Sequence, residues 1–374
     1  MTSGNLPPGA PRPRGTTLGS AARAGGARIA TLALIALALS GCGPSSADDG
    51  SGDGGRVAFL LPESKTTRYE AVDHPVFEER LTEVCPSCDL IYSNADGDAS
   101  KQQQQAESAL TQDIDVLVLD AVDSSAARSI VVAANARGVP VIAYDREIAD
   151  ADIAYYVSFN GESVGELQGV ALVDGMTSNG DANGDIIMIN GSPTDPNAQD
   201  FKDGAHSVID KSNLKVIAEY DSPDWSPDKA QEWAAGQVVQ HGDRIAGVYA
   251  ANDGTAGGAI AAFKAAGVHT LPPVTGQDGE LAAIQRIIAG DQYMTVYKAI
   301  PTQAKAAADA AFELLTDGAV SAGQDVHGVR TTLLDPVSVT KDNIMDTVVA
   351  DGFYTVDQIC TPEYASACAD AGIE

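Results

Sequence analysis

Short apolar runs and amphipathic stretches alternate along most of the chain. "RVAFLL" (56–61) reads as a strand, followed by a helical stretch near 74–84, the strand "DLIYS" (89–93) and a helix from Ser100 to Thr111. "DVLVLD" (115–120), a helix at 124–137 and "PVIAYD" (140–145) continue the pattern, with Gly138-Val139-Pro140 as a helix stop before a strand start. A second series runs through a helix at 161–176, "DIIMIN" (185–190), a helix at 197–211, "LKVIAEY" (214–220), a helix at 227–241 and "IAGVYA" (245–250). Helices at 254–266, 279–289 and 301–317 then alternate with "PVTGQD" (273–278), "YMTVYK" (293–298) and "LLDPVSVT" (333–340). Strands that are apolar nearly throughout, separated by amphipathic helices, predict parallel sheets covered on both faces. Two such series predict an α/β protein of two doubly wound lobes, in which ligands bind beyond the carboxyl ends of the strands.

Those strand tips carry polar side chains of a consistent kind. The first strand leads to Arg68 and Tyr69, and "VIAYDRE" (141–147) ends in Tyr144, Asp145 and Arg146. In the second series the tips bring Asn197, Trp225, Asn252, Asp253, Asp278 and Lys298. Any one of them alone reads as a solvated loop residue. Repeated over several tips, carboxylates, amides and cations beside Trp and Tyr suit a polyhydroxyl ligand: the polar groups read hydroxyls and aromatic faces cover C–H patches. Tyr144 reads as packing.

The first 28 residues contain Arg12, Arg14, Arg23 and Arg28 and no acid, and the apolar run "IATLALIALAL" (29–39) precedes Leu39-Ser40-Gly41-Cys42. This is the pattern of an export signal over 1–41, too short to span a membrane. The ending resembles the bacterial lipoprotein box, which makes Cys42 a candidate lipidation site, while an ordinary secretory signal carrying a cysteine fits as well. "GPSSADDGSGDGG" (43–55) then reads as part of a flexible tether over 42–55. Removing residues 1–41 takes four arginines and no acid, leaving 19 basic against 52 acidic residues, a net charge of −33. That sign excludes nucleic acid as a partner.

Four cysteines remain, and closeness in sequence favours Cys85–Cys88 and Cys360–Cys368 among the three pairings. "CPSC" closes a helical stretch, which favours a structural staple over a redox site. "GESVG" (161–165) matches the esterase nucleophile elbow at Ser163, but that serine falls inside a helix start, and no histidine sits in a recognisable partner motif. "DANGD" (181–185) begins like a calcium loop, yet Ile186 and Ser192 stand where Gly and Glu belong. A glycosidase using Asp145 and Asp278 is the best enzymatic alternative. Arg146 and Lys298 beside those acids would keep both ionised. No catalytic residue, cofactor or metal is predicted, and nothing demands an oligomer.

The segments "IAYDREIADADIAYYVSFNGESVGELQGVALVD" (142–174), "GSPTDPNAQDF" (191–201), "AANDGTAGGAIAAF" (250–263), "GQDGELAAIQRIIAGDQYMTVYKAI" (276–300) and "DNIMDTVVADGF" (342–353) resemble the periplasmic sugar-binding proteins of ABC importers, most closely the D-xylose-binding branch. The resemblance implies the type I periplasmic binding protein fold, two lobes joined by a three-segment hinge. The N-terminal lobe would be 56–160 plus 294–331 and the C-terminal lobe 161–293 plus 332–353. Crossovers would lie near 159–162, 290–294 and 331–334, with 354–374 a tail carrying a cysteine pair. It also implies that Arg68, Asp145, Arg146, Asn197, Trp225, Asn252, Asp278 and Lys298 contact a monosaccharide, with Tyr69 where the family usually has tryptophan. The implied function is capture of D-xylose or a related aldose outside the cytoplasm and delivery to importer permease subunits, by a monomer held at the membrane through its lipid. Glucose, galactose, arabinose or several aldoses stay open, because "ESKTTRYE" (63–70) is closer to broader aldose binders. A sensor presenting sugar to a membrane receptor fits the same lobes.

Overall fold

The computed structural model describes residues 54–373; the expected export signal, Cys42 and the tether up to residue 53 lie outside them. In chain order the first series contains β1 (Arg56–Leu61), α1 (His74–Val84), β2 (Asp89–Asn94), α2 (Ala99–Leu110), β3 (Val116–Leu119), α3 (Ser124–Asn135), β4 (Val141–Tyr144) and β5 (Tyr155–Phe159). The second contains α4 (Gly161–Ser178), β6 (Asp185–Asn190), α5 (Pro196–Ile209), β7 (Lys215–Asp221), α6 (Pro227–His241), β8 (Ile245–Ala250), α7 (Asp253–Ala265), α8 (Leu281–Ala289) and β9 (Met294–Tyr297). The remainder comprises α9 (Ile300–Thr316), β10 (Gln324–Val326), β11 (Val329–Leu334), β12 (Val337–Thr340), α10 (Val356–Ile359) and α11 (Ala365–Asp370).

One sheet has the order β10-β11-β5-β4-β3-β1-β2, parallel except for the β10–β11 hairpin. The other is the parallel trio β7-β6-β8. Single bridges at Val248–Val274 and Gln277–Val296 extend it to β9, which pairs antiparallel with β12. Each lobe is thus a helix–sheet–helix sandwich, and the apolar strands follow from it. In β1, Val57, Phe59 and Leu61 pack on one face with α1 and α9, while Ala58 and Leu60 pack on the other with α2 and α3. In β6, Ile186 and Met188 face α4 and α5, while Ile187 and Ile189 face α6 and α7. A strand whose two faces are both buried must be apolar at every position.

The chain passes between lobes three times: at Asn160, at Lys298–Ala299 and at Asp335–Pro336. These differ from the sequence expectation at two of the three places. Strand β9 pairs with β12 and bridges to Gln277, so residues 294–297 belong to the C-terminal lobe rather than the N-terminal one. "LLDPVSVT" is two strands rather than one, because Pro336 lacks the N–H and the φ freedom to continue a ladder. The segment 273–278 makes isolated bridges instead of a strand, and β5, which no run in the expected series named, completes the first sheet beside β4. The tail is not separate: Ile359, Cys368 and Ile373 pack with Ile284 and Ile288 of α8. Cys85 is joined to Cys88 between α1 and β2, and Cys360 to Cys368 within that tail.

The esterase-like "GESVG" has a packing explanation. Asn160 caps α4 by accepting the Ser163 N–H (3.1 Å), which places the serine in the first helical turn. A Cβ on Gly165 would lie 2.0 Å from the Phe201 carbonyl oxygen, so glycine there lets α4 lie against α5.

Candidate functional site

The strand ends of the two lobes face each other across a closed cleft. All nine side chains expected there (Arg68, Tyr69, Asp145, Arg146, Asn197, Trp225, Asn252, Asp278 and Lys298) are buried and line one narrow cavity. Thr66, Asp195, Phe201 and Gln277 line it too and were not among the expected residues.

In the N-terminal lobe, Arg68 lies in a bed of acceptors. Its Nε and Nη2 reach the two carboxylate oxygens of Asp73 (2.9 and 2.7 Å), Nη1 reaches Asp145 Oδ1 (3.1 Å) and Nη2 also reaches Gln303 Oε1 (2.9 Å). Tyr144 donates its hydroxyl to Asp73, so it does more than pack: it helps hold the acid that orients Arg68. Burial opposes the Arg68 charge, but Asp145 and Asp73 outweigh it and hold the guanidinium above its ordinary pKa. Asp145 has a left-handed backbone (φ 61°), tolerated better by Asp than by most residues, which turns the chain sharply after β4. Its carbonyl accepts from Ser158 Oγ (2.6 Å), Asn197 Nδ2 (3.0 Å) and Tyr156 Oη (3.3 Å), fixing the turn. Burial alone would raise the Asp145 carboxyl, yet Arg68, Lys298 and Arg146 overcome it and hold the group well below the usual carboxylate range.

Arg146, next in sequence, donates from Nη1 to the Ala121 carbonyl (2.8 Å) and from Nη2 to Tyr69 Oη (3.2 Å). Its Nε is 2.9 Å from Asp195 Oδ2 and 3.4 Å from Asp120 Oδ1, neither lying along the N–H direction. Burial pushes both Asp120 and Asp195 upward, against the pull of Arg146.

The C-terminal lobe supplies the facing wall. Asp195 caps α5 through the Asn197 N–H (2.9 Å) and also accepts the Trp225 indole Nε1–H (3.0 Å). Trp225 (φ 52°) follows Asp224 (φ 58°) in left-handed backbone, and its ring lies flat enough on Gly191 that a Cβ there would fall 2.0 Å from Cη2. Phe201 stands 6.2 Å from it, centroid to centroid, as a second aromatic wall. Asn252 caps α7 with its carboxamide oxygen, which accepts the Thr255 N–H (2.9 Å) and hydroxyl (2.8 Å), leaving the NH₂ end without an intramolecular acceptor among the described residues. Asp278 (φ 99°) has Oδ1 3.0 Å from Lys298 Nζ and 3.8 Å from Arg68 Nη1, in no aligned hydrogen bond. Gln277 Oε1 is likewise buried without a donor. Lys298, on the second crossover, is 3.9 Å from Asp145 Oδ1 and within 5.5 and 5.8 Å of the Phe159 and Phe201 ring centroids.

Contacts across the cleft hold it closed: Asn197 to the Asp145 carbonyl (3.0 Å), Arg146 to Asp195 (2.9 Å), and the Ser124 N–H to the Thr194 carbonyl (3.2 Å). Among the described residues no three His, Cys, Asp or Glu side chains are placed to hold a metal ion. No described helix is long and apolar enough to cross a membrane. The arrangement offers carboxyl groups, cations and carboxamides in contact range of a small solute, beside aromatic rings.

A family model described as "Periplasmic binding protein domain" matches residues 57–319. The chain is 34% identical to a D-xylose-binding periplasmic protein of Escherichia coli over 81% of its own length and 92% of that protein. It is 37% identical to one of Haemophilus influenzae with the same coverage of each. A carbohydrate transporter solute-binding protein of Chloroflexus aurantiacus, solved in complex with D-glucose, is 28% identical with a TM-score of 0.71, covering 81% of this chain and 97% of that one.

Proposed function

Since the chain belongs to the periplasmic binding protein family, we propose that it captures one aldose, D-xylose or a close relative, between its lobes and delivers it to an ABC importer. The cavity carries this reading. It is buried, it draws on both lobes, and it sets Asp145, Arg146, Asp278 and Lys298 beside Trp225 and Phe201. A sugar ring offers hydroxyls to the charged and amide groups and apolar C–H faces to the aromatics. The lobes would open and close about the three crossovers, ligand binding shifting the equilibrium by its differential affinity for the closed form. Tyr69, whose hydroxyl accepts from Arg146 Nη2, forms part of the wall beside that guanidinium. Lipidation at Cys42 would keep the protein at the outer face of the membrane.

A glycosidase built on Asp145 and Asp278 needs one acid able to lend a proton. Arg68, Lys298 and Arg146 keep Asp145 ionised despite its burial, and Asp278 faces Lys298 at 3.0 Å. Isothermal titration calorimetry against a panel of pentoses and hexoses tests the proposal, with recovery of the sugar afterwards. One or a few aldoses should bind with a stoichiometry of about one and be recovered unchanged. No heat with any of them, or a cleaved product, would remove the reading.

A further inference from the structure

Glu280 reaches across the cleft. It lies in the C-terminal lobe, two residues beyond Asp278, and its Oε1 accepts the backbone N–H of Thr67 in the N-terminal lobe (3.3 Å). Thr67 directly precedes Arg68 and Tyr69, so this contact fixes the segment that delivers both to the cavity. The Glu280 backbone N–H in turn donates to Asp253 Oδ2 (2.9 Å). Asp253 is fully buried and also accepts from Gln292 Nε2 (2.8 Å) and Thr295 Oγ1 (2.9 Å). The charged and titratable groups facing Glu280 are Asp278 on its own segment, Asp253 at the start of α7, Arg286 of α8 and Tyr354 of the C-terminal segment. Arg286 gives its Nη2 to the Asp253 carbonyl (2.8 Å) and its Nε to Gln292 (2.9 Å), so its hydrogen bonds go to neutral oxygens.

We propose that Glu280 is a positioning residue for ligand binding, latching the Thr67–Tyr69 segment to the C-terminal lobe, and that a proton enters the Asp253–Glu280 pair as the lobes close. The inference rests on the sugar-binding reading. Glu280 is 8% exposed with Thr67 of the other lobe against it, and opening the cleft would take that cover away. Burial, then the facing Asp278, pushes its carboxyl from 4.5 up to about 7, and burial together with Glu280 pushes Asp253 up to about 8. A carboxyl whose pKa is higher in the closed form binds protons there, so affinity is greatest at low pH and falls as pH rises through the closed-form value. For one proton and a closed-form value of about 7, affinity at pH 6 exceeds that at pH 8 by up to roughly tenfold.

Calorimetry of the purified chain with D-xylose, in buffers of differing ionisation enthalpy at pH 6, 7 and 8, counts the protons taken up. The wild type should take up a fraction of a proton per sugar at pH 7 and bind more weakly at pH 8. Glu280→Gln keeps an oxygen for the Thr67 N–H, so it should bind with less linked proton and a flatter pH profile, whereas Glu280→Ala should lose affinity at every pH. Uptake that is absent in the wild type, or equal in Glu280→Gln, would overturn the proton linkage, and unchanged affinity in Glu280→Ala would overturn the latch, both leaving the sugar reading standing. Absence of binding by D-xylose and by the rest of the sugar panel at every pH would overturn both.

Discussion

The two lobes present matching aspartates at matching places but surround them differently. Asp145 follows β4 and gives its N–H to Val157 of β5; Asp278 follows the 274–277 segment and gives its N–H to Val296 of β9, both at 2.9 Å and both in left-handed backbone. At Arg68 and Asp145 the polar groups hold one another: Asp73 and Gln303 engage Arg68, Tyr144 donates to Asp73, and three donors converge on the Asp145 carbonyl. Around Asp278, Asp278 Oδ1 and Gln277 Oε1 have no aligned partner, and in the N-terminal lobe Arg146 Nε and both Asp120 carboxylate oxygens have none either. Buried polar atoms without partners cost stability, and a protein keeps them where a ligand repays them. Arg68 and Asp145 are therefore the braced part of the site, while Asp278, Gln277 and, beside Asp145, Arg146 and Asp120 carry the polar atoms that the proposed ligand would satisfy.

The largest effect should come from removing the centre of the braced part. Arg68→Ala leaves Asp73 and Asp145 buried without their cation, which should lower unfolding stability by about 3–5 kcal/mol and abolish sugar binding, measured by chemical denaturation and calorimetry. In the other lobe stability and binding should separate. Gln277→Leu removes an acceptor that has no donor, so binding should weaken by about 1–3 kcal/mol while the melting temperature without sugar holds or rises. Parallel loss of stability in that variant would break the comparison. Smallest is Tyr144→Phe, which deletes one hydroxyl from Asp73 and should cost about 1 kcal/mol of stability with a lesser change in affinity.

Much of this was legible in the chain. Apolar runs that fill both faces of β1 and β6 announced two covered parallel sheets, and polar residues at strand ends marked the cavity. What escaped has identifiable causes. Asp195, absent from the expected residues, caps α5 ahead of Pro196, and its second partner, the Trp225 indole, comes from a loop 30 residues on. Phe201 reads as the apolar face of α5, and nothing in "TGQD" separates Gln277 from a turn residue. Asp73 and Gln303 support Arg68 from two helices, and Gln303 lies 235 residues away in sequence, a pairing that only the hinge topology creates. The lobe boundary shifted because β9 owes its place to β12, a strand hidden behind Pro336 in what looked like one run.

A crystal structure with D-xylose bound tests the contrast between the braced Arg68 and the unpaired Asp278 and Gln277 most directly. Sugar hydroxyls should lie within about 3.2 Å of Asp278 Oδ1, Gln277 Oε1 and Asn252 Nδ2, with the ring against Trp225 or Phe201 and the Arg68–Asp73–Gln303 contacts unchanged. A sugar bound outside the cavity, or one that leaves Asp278 and Gln277 untouched while displacing the partners of Arg68, would contradict it.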